Sequence, residues 1–206
     1  MSFPNGVRLS DSIASKIVEG GFPANLDGLR FNSALNIWEF VPFGGGGGGF
    51  WEELARTTLA IAGDTISVTP IAVREHLMIL VSVADVGGAI RAALRFNGDA
   101  GANYAYRRFF NGVAGLSVNQ NEINISNNLA SPKYIVVQLR NSNVNPKISS
   151  SVAVDESTSG AGTGPDSWTT YGKWQNVAQV TRIDVVNVTG AGDYAIGSEV
   201  VVLGHD

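Results

Sequence analysis

Between residues 57 and 203 the apolar side chains of this chain return at every second position in short runs, and no other feature narrows its choice of fold so far. A period of two puts alternate residues on opposite faces of a strand, whereas a helix needs spacings of three and four. Residues 133–140 set Ile135, Val137 and Leu139 against Tyr134, Gln138 and Arg140. Residues 89–97 set Ile90, Leu94 and Phe96 against Arg91 and Arg95, and residues 147–154 alternate Ile148, Ser150, Val152 and Val154 with small Ser and Ala residues. Residues 76–84 are almost continuously apolar, which predicts a central strand buried on both sides. Further strands are expected at 57–62, 65–68, 103–109, 122–126, 167–173, 180–188 and 199–203. Residues 51–60 could pass for a helix, but Thr57, Thr58 and Ile61 running into Gly63 favour an edge strand. Turn clusters separate the runs: Gly63-Asp64, Gly87-Gly88, Asn97-Gly98-Asp99 and Gly160-Ala161-Gly162-Thr163-Gly164-Pro165. Many short strands punctuated in this way predict an all-β protein, an antiparallel β-sandwich or jelly roll. Closure of a sandwich often pairs the first and last strands, here 57–62 with 199–203.

Six consecutive glycines, Gly44 to Gly49, interrupt the pattern. Six residues without Cβ behave as a flexible tether, spanning roughly 12–15 Å as a free coil. The expected organisation is an arm over residues 1–43, a tether over 44–50 and a sandwich body over 51–206; a Gly-rich loop within one domain is the alternative. In the arm, Leu29-Arg30-Phe31-Asn32 and Ile37-Trp38-Glu39-Phe40-Val41 flank a turn at residues 33–36, which reads as a hairpin. Two strands alone are marginal in water, so an arm of this kind is expected to gain order from a partner surface. A short helix is expected at residues 11–18.

Composition removes several function classes. The chain has 206 residues, with 14 Lys plus Arg and a formal net charge of −4. Its densest basic cluster is Arg107-Arg108, too little to displace the counterions of nucleic acid. Without cysteine, disulfides, thiol catalysis and zinc–thiolate sites are excluded. Only 16% of residues are charged, against about 25% in an average protein, so Ser, Thr, Asn and Gly supply the surface polarity. No apolar run approaches the roughly 20 residues of a membrane helix. The opening Met1-Ser2-Phe3-Pro4-Asn5-Gly6 lacks the charged and apolar regions of a secretory signal.

A search for chemistry returns little. The two histidines are His76, at the start of the most apolar strand, and His205, where fraying is expected. Neither their spacing nor their surroundings point to a triad or a metal site. The carboxylates Asp85, Asp99, Asp155, Glu156, Asp166, Asp184, Asp193 and Glu199 are scattered and mostly lie at turns. No catalytic, cofactor-binding or metal-binding residue is therefore assigned, and the chain is expected not to be an enzyme. Tyr104, Tyr106, Trp168, Tyr171 and Trp174 could form a sugar-stacking face, but core or interface packing is the favoured reading.

Two sets of segments carry a resemblance. The first runs from Ala62-Gly63-Asp64-Thr65-Ile66-Ser67-Val68 through Leu94-Arg95-Phe96-Asn97-Gly98-Asp99 and Gly160-Ala161-Gly162-Thr163 to Gly172-Lys173-Trp174. It continues in Thr181-Arg182-Ile183-Asp184-Val185-Val186-Asn187 and in residues 197–204. Together they resemble small β-rich virion-associated proteins of tailed phages. The second, Asp27 to Asn32 with Trp38-Glu39-Phe40-Val41, is similar to short hairpins of phage fibre and tail proteins. The resemblance implies a place in a particle, as a head decoration or a tail or fibre component, and carries over no functional residue. On this reading residues 1–43 anchor the chain to other virion proteins and a homotrimer is the expected assembly. The protein is then assembled in the host cytoplasm and released with the particle. The rival expectation is an adhesin binding a host surface glycan.

Overall fold

A computed structural model describes residues 28–32, 37–41, 51–84, 87–156, 160–190 and 192–206. The chain divides into two units, residues 1–48 and 49–206. In the first, β1 (Gly28–Asn32) and β2 (Ile37–Val41) form an antiparallel two-stranded ladder with Leu29 opposite Phe40 and Phe31 opposite Trp38. The expected hairpin strands are there; the turn at 33–36, the helix expected at 11–18 and the glycine run lie outside the described residues.

The second unit is all-β. Its strands are β3 (Glu52–Thr58), β4 (Thr65–Val68), β5 (His76–Val83), β6 (Ala92–Phe96), β7 (Tyr104–Phe110) and β8 (Val113–Gln120). They continue with β9 (Ile123–Asn124), β10 (Lys133–Arg140), β11 (Lys147–Asp155), β12 (Asp166–Trp174), β13 (Ile183–Asn187) and β14 (Glu199–His205). Every pairing is antiparallel, in an eight-stranded sheet ordered β3-β14-β5-β10-β11-β12-β7-β8 and a four-stranded sheet ordered β4-β13-β6-β9. The first four strands of the large sheet, taken with the small sheet, reproduce the strand order of a jelly roll. The hairpins β7–β8 and β11–β12 are insertions into that plan, and both extend the large sheet past β10.

One core lies between the sheets. Leu77, Ile79 and Val81 of β5, Ile135 and Val137 of β10, and Val200 and Val202 of β14 supply one side of it; Ile66, Leu94, Phe96, Ile183 and Val185 supply the other. Beyond β10 the covering layer is β9 and the segment after it, where Ile123, Ile125, Ser126 and Asn127 are buried. Several inner positions of β11 and β12 facing it are small: Ser149, Ser151, Ala153 and Gly172. A Cβ on Gly172 would lie 2.7 Å from Ile123 Cδ1 and 2.7 Å from Ser149 Oγ, so the missing side chain is the space that Ile123 occupies.

This packing corrects several expectations. In β11 the small residues face in, while Ile148, Val152 and Val154 face out. β5 is central in its sheet but buried on one face only: Met78 and Leu80 are half-buried, because among the described residues no layer covers the outer face of the large sheet. The first body strand starts at Glu52 rather than near residue 57, and it pairs with β14 as expected of first and last strands, with Glu199 opposite Thr58. β14 runs on to His205, held by pairing with His76, so that histidine is not frayed. β8 was not anticipated at all.

Candidate functional site

Strand register assembles the most elaborate cluster of side chains on the outer face of the large sheet. Cross-strand pairing lines up His205, His76, Arg140, Ile148 and Lys173 in one row over five strands. Two residues further along each strand, the next row reads Leu203, Met78, Gln138, Ser150, Tyr171 and Arg107. In-phase alternation makes both rows outward-facing, since their neighbours Leu77, Leu139, Ser149, Gly172 and Tyr106 point into the protein.

The two histidine rings stack, with centroids 4.9 Å apart and planes 20° from parallel; the edge of Trp51 meets His205 at 4.5 Å and 87°. A groove of about 410 Å³ runs from this trio past Arg140 and Ser150 to Tyr171. Its two large rings are open to solvent, Trp51 at 38% and Tyr171 at 53% exposure. Phe109 supports the Tyr171 ring edge-on at 6.2 Å. Among the described residues Arg140 has one ion-pair partner, an exposed contact to Glu75 at 3.5 Å. The other carboxylates at this end are engaged elsewhere: Glu52 accepts from Arg74 at 2.9 Å, and Asp206 accepts from the Glu75 amide at 2.9 Å. The arrangement offers guanidinium, imidazole and amide donors beside exposed aromatic faces.

The aromatic set is split by the structure. Tyr104, Tyr106, Trp168 and Trp174 are buried, as the packing reading requires, and each has a hydrogen-bond partner. Tyr104 Oη accepts from the Phe96 amide and donates to the Asp99 carbonyl, both at 3.0 Å; Trp174 Nε1 donates to Asp99 Oδ2 at 2.7 Å. Trp168 Nε1 donates to Thr170 Oγ1 at 2.9 Å, and Asn124 Nδ2 donates to Tyr106 Oη at 2.6 Å. Tyr171 alone of the five is available to a ligand. Its companions in the groove were not singled out as a site, because they come from segments as far apart in sequence as Trp51 and His205.

The carboxylates hold the fold. Asp99 receives Trp174, the Gly101 amide and Asn103. Asp184 accepts from Ser67 at 2.6 Å and Arg182 at 2.9 Å, and Glu199 from Thr58 at 2.7 Å and Arg56 at 2.8 Å. Asp166 accepts from Asn111 at 2.8 Å, and a hydrogen bond with Asp64 holds the Asp193 carboxyl above its ordinary value. Asp155 ends β11 in a buried position, Glu156 beside it is exposed, and Asp85 lies outside the described residues. Gly160 to Pro165 form the turn into β12.

A different kind of site lies beneath β11. Lys147 is fully buried, and its ammonium donates to the carbonyls of Ser142 at 2.6 Å, Asn176 at 3.2 Å and Asn145 at 3.4 Å. Its Nζ also sits 5.9 Å from the centre of the Trp174 ring. Burial pushes its pKa down. With every bond directed at backbone, this lysine ties two loops together. Comparison with family models, with curated proteins and with solved structures returned no match.

Proposed function

We propose that the protein is a structural component of a phage particle, a head decoration or a tail or fibre part, that displays the jelly-roll body and is held to other virion proteins by residues 1–43. The observation that carries this reading is the two-unit build: an apolar two-stranded ladder separated by a glycine run from a body with its own core. Two strands are marginal by themselves, and docking would supply an apolar partner. The outer face of the large sheet, away from the groove, supports the same reading, since Tyr134, Val152 and Val154 are exposed there. Contiguous apolar surface of that kind is characteristic of contacts between proteins, and it suits packing of copies into the proposed homotrimer. No catalytic residue belongs to this reading.

The test compares the full chain with one lacking residues 1–49, each added to particles that lack the protein. Incorporation of the full chain alone is expected, with density for the body on the particle surface by electron cryomicroscopy. Equal incorporation of the shortened chain would defeat the anchoring role. Light scattering of the full chain checks the trimer.

A further inference from the structure

We propose that the groove between Trp51 and Tyr171 is a binding site for an acidic polysaccharide, with uronate carboxylates met by Arg140 and the His76–His205 pair and a sugar ring laid on Tyr171. This goes beyond a structural role and does not depend on it.

Charge is the first argument. From β14 to β7 the two rows include Arg140, Lys173 and Arg107, and the carboxylate that continues the second row onto β3, Glu53 opposite Leu203, is paired with Arg56 at 2.8 Å. That local excess stands out on a chain whose net charge is −4. Lys173 and Arg107 have no ion-pair partner among the described residues, and the contact of Arg140 Nη2 with Glu75, at 3.5 Å, is long enough for a ligand carboxylate to displace. Shape is the second. The groove is open along the sheet and of a volume suited to one or two sugar units, within the range of ordinary ligand sites of roughly 300–1,000 Å³.

Chemistry is the third argument. Tyr171 and Trp51 offer apolar ring faces to the C–H face of a pyranose, while Gln138 and Ser150 stand between them with an amide and a hydroxyl for sugar hydroxyls. Nucleic acid fits less well, because three permanent cations release too few counterions to hold a duplex or a long single strand.

The experiment titrates the full chain with polyuronate oligosaccharides, with dextran of matched length, with polyglutamate and with a single-stranded oligonucleotide, read by calorimetry. Saturable binding of the polyuronate alone is expected. Tyr171→Ala is expected to weaken it roughly tenfold, Tyr171→Phe to retain it, and Arg140→Gln to weaken it by a similar factor. Tyr171 and Arg140 are exposed, so unchanged thermal unfolding of the variants checks their folding. No polyuronate binding would overturn the proposal, as would equal binding of polyglutamate or the oligonucleotide, or indifference to Tyr171→Ala.

Discussion

Lys147→Met removes a fully buried ammonium while keeping the unbranched stem that packs beside Trp174. Two effects of similar size compete. Burying an ammonium costs several kcal/mol, and hydrogen bonds from a charged donor return about 1.5–3 kcal/mol each. The variant abolishes both but leaves three carbonyls behind. Asn145 is exposed and Asn176 half-buried, so water can reach their oxygens; Ser142 is buried, and its carbonyl loses a 2.6 Å partner. An unpartnered buried carbonyl costs about 1–3 kcal/mol, and the two loops also lose their shared anchor. The expected loss is therefore about 2–3 kcal/mol, or roughly 5–10 °C in Tm for a body of this size. Urea and thermal unfolding of wild type and variant measure it. The pH dependence supplies a second readout. Burial lowers the folded-state pKa of Lys147 below its ordinary 10.5, so between the two values the unfolded chain still holds a proton that the folded chain has released. Stability contributed by this residue thus rises with pH across that window, and Lys147→Met should remove the rise. A variant as stable as wild type, or more so, would show that desolvation outweighs the carbonyl cage.

Gly172→Val should cost about 1–3 kcal/mol by overpacking against Ile123, since even a Cβ would meet it at 2.7 Å; an unchanged urea midpoint would contradict that contact. The two faces of β11 can be told apart by Val152→Lys, expected to stay within about 0.5 kcal/mol of wild type, and Ala153→Lys, expected to unfold the body; circular dichroism on heating decides. At Asp99, burial works to raise the carboxyl pKa, but donors from Trp174, Gly101 and Asn103 outweigh it and hold the group below its ordinary 3.8. Its contribution to stability is therefore complete above 3.8 and lost as pH falls through the folded value. Asp99→Asn should flatten the acid limb of the stability profile.

For two strands with one face on the core, the limits were legible from residue types alone. Residues 65–68 and 133–140 are strands with the bounds that their alternation indicates, and Ile135, Val137 and Leu139 face inward. β8 was illegible for the converse reason. Val113-Ala114-Gly115-Leu116-Ser117-Val118 lies at the sheet edge, with Val113, Leu116 and Val118 exposed, so no buried face imposes a period. β11 misled because size is a poor guide where a neighbour fills the gap: Ile123 enters from another segment, and small residues admit it. The groove was hidden more thoroughly. Tyr171 was visible as an aromatic residue, but His76, Arg140 and His205 become its neighbours only through the register of β14, β5, β10, β11 and β12, which is a property of long-range pairing.

Glu52 pairs with Gly204 across adjacent strands, where Cα atoms lie about 5 Å apart. Entry to the body and exit from it thus share a corner, and that corner belongs to the end carrying loops 97–103, 141–146 and 175–182. Loops 59–64, 111–112, 160–165 and 192–198 occupy the far end. A cargo fused after Asp206 would therefore emerge on the side from which residue 51 departs, whereas an epitope grafted at Gly112 would point the other way. Bridging the shared corner with a few residues and reopening the chain at Gly112 should yield a permuted body whose two termini lie at the opposite end.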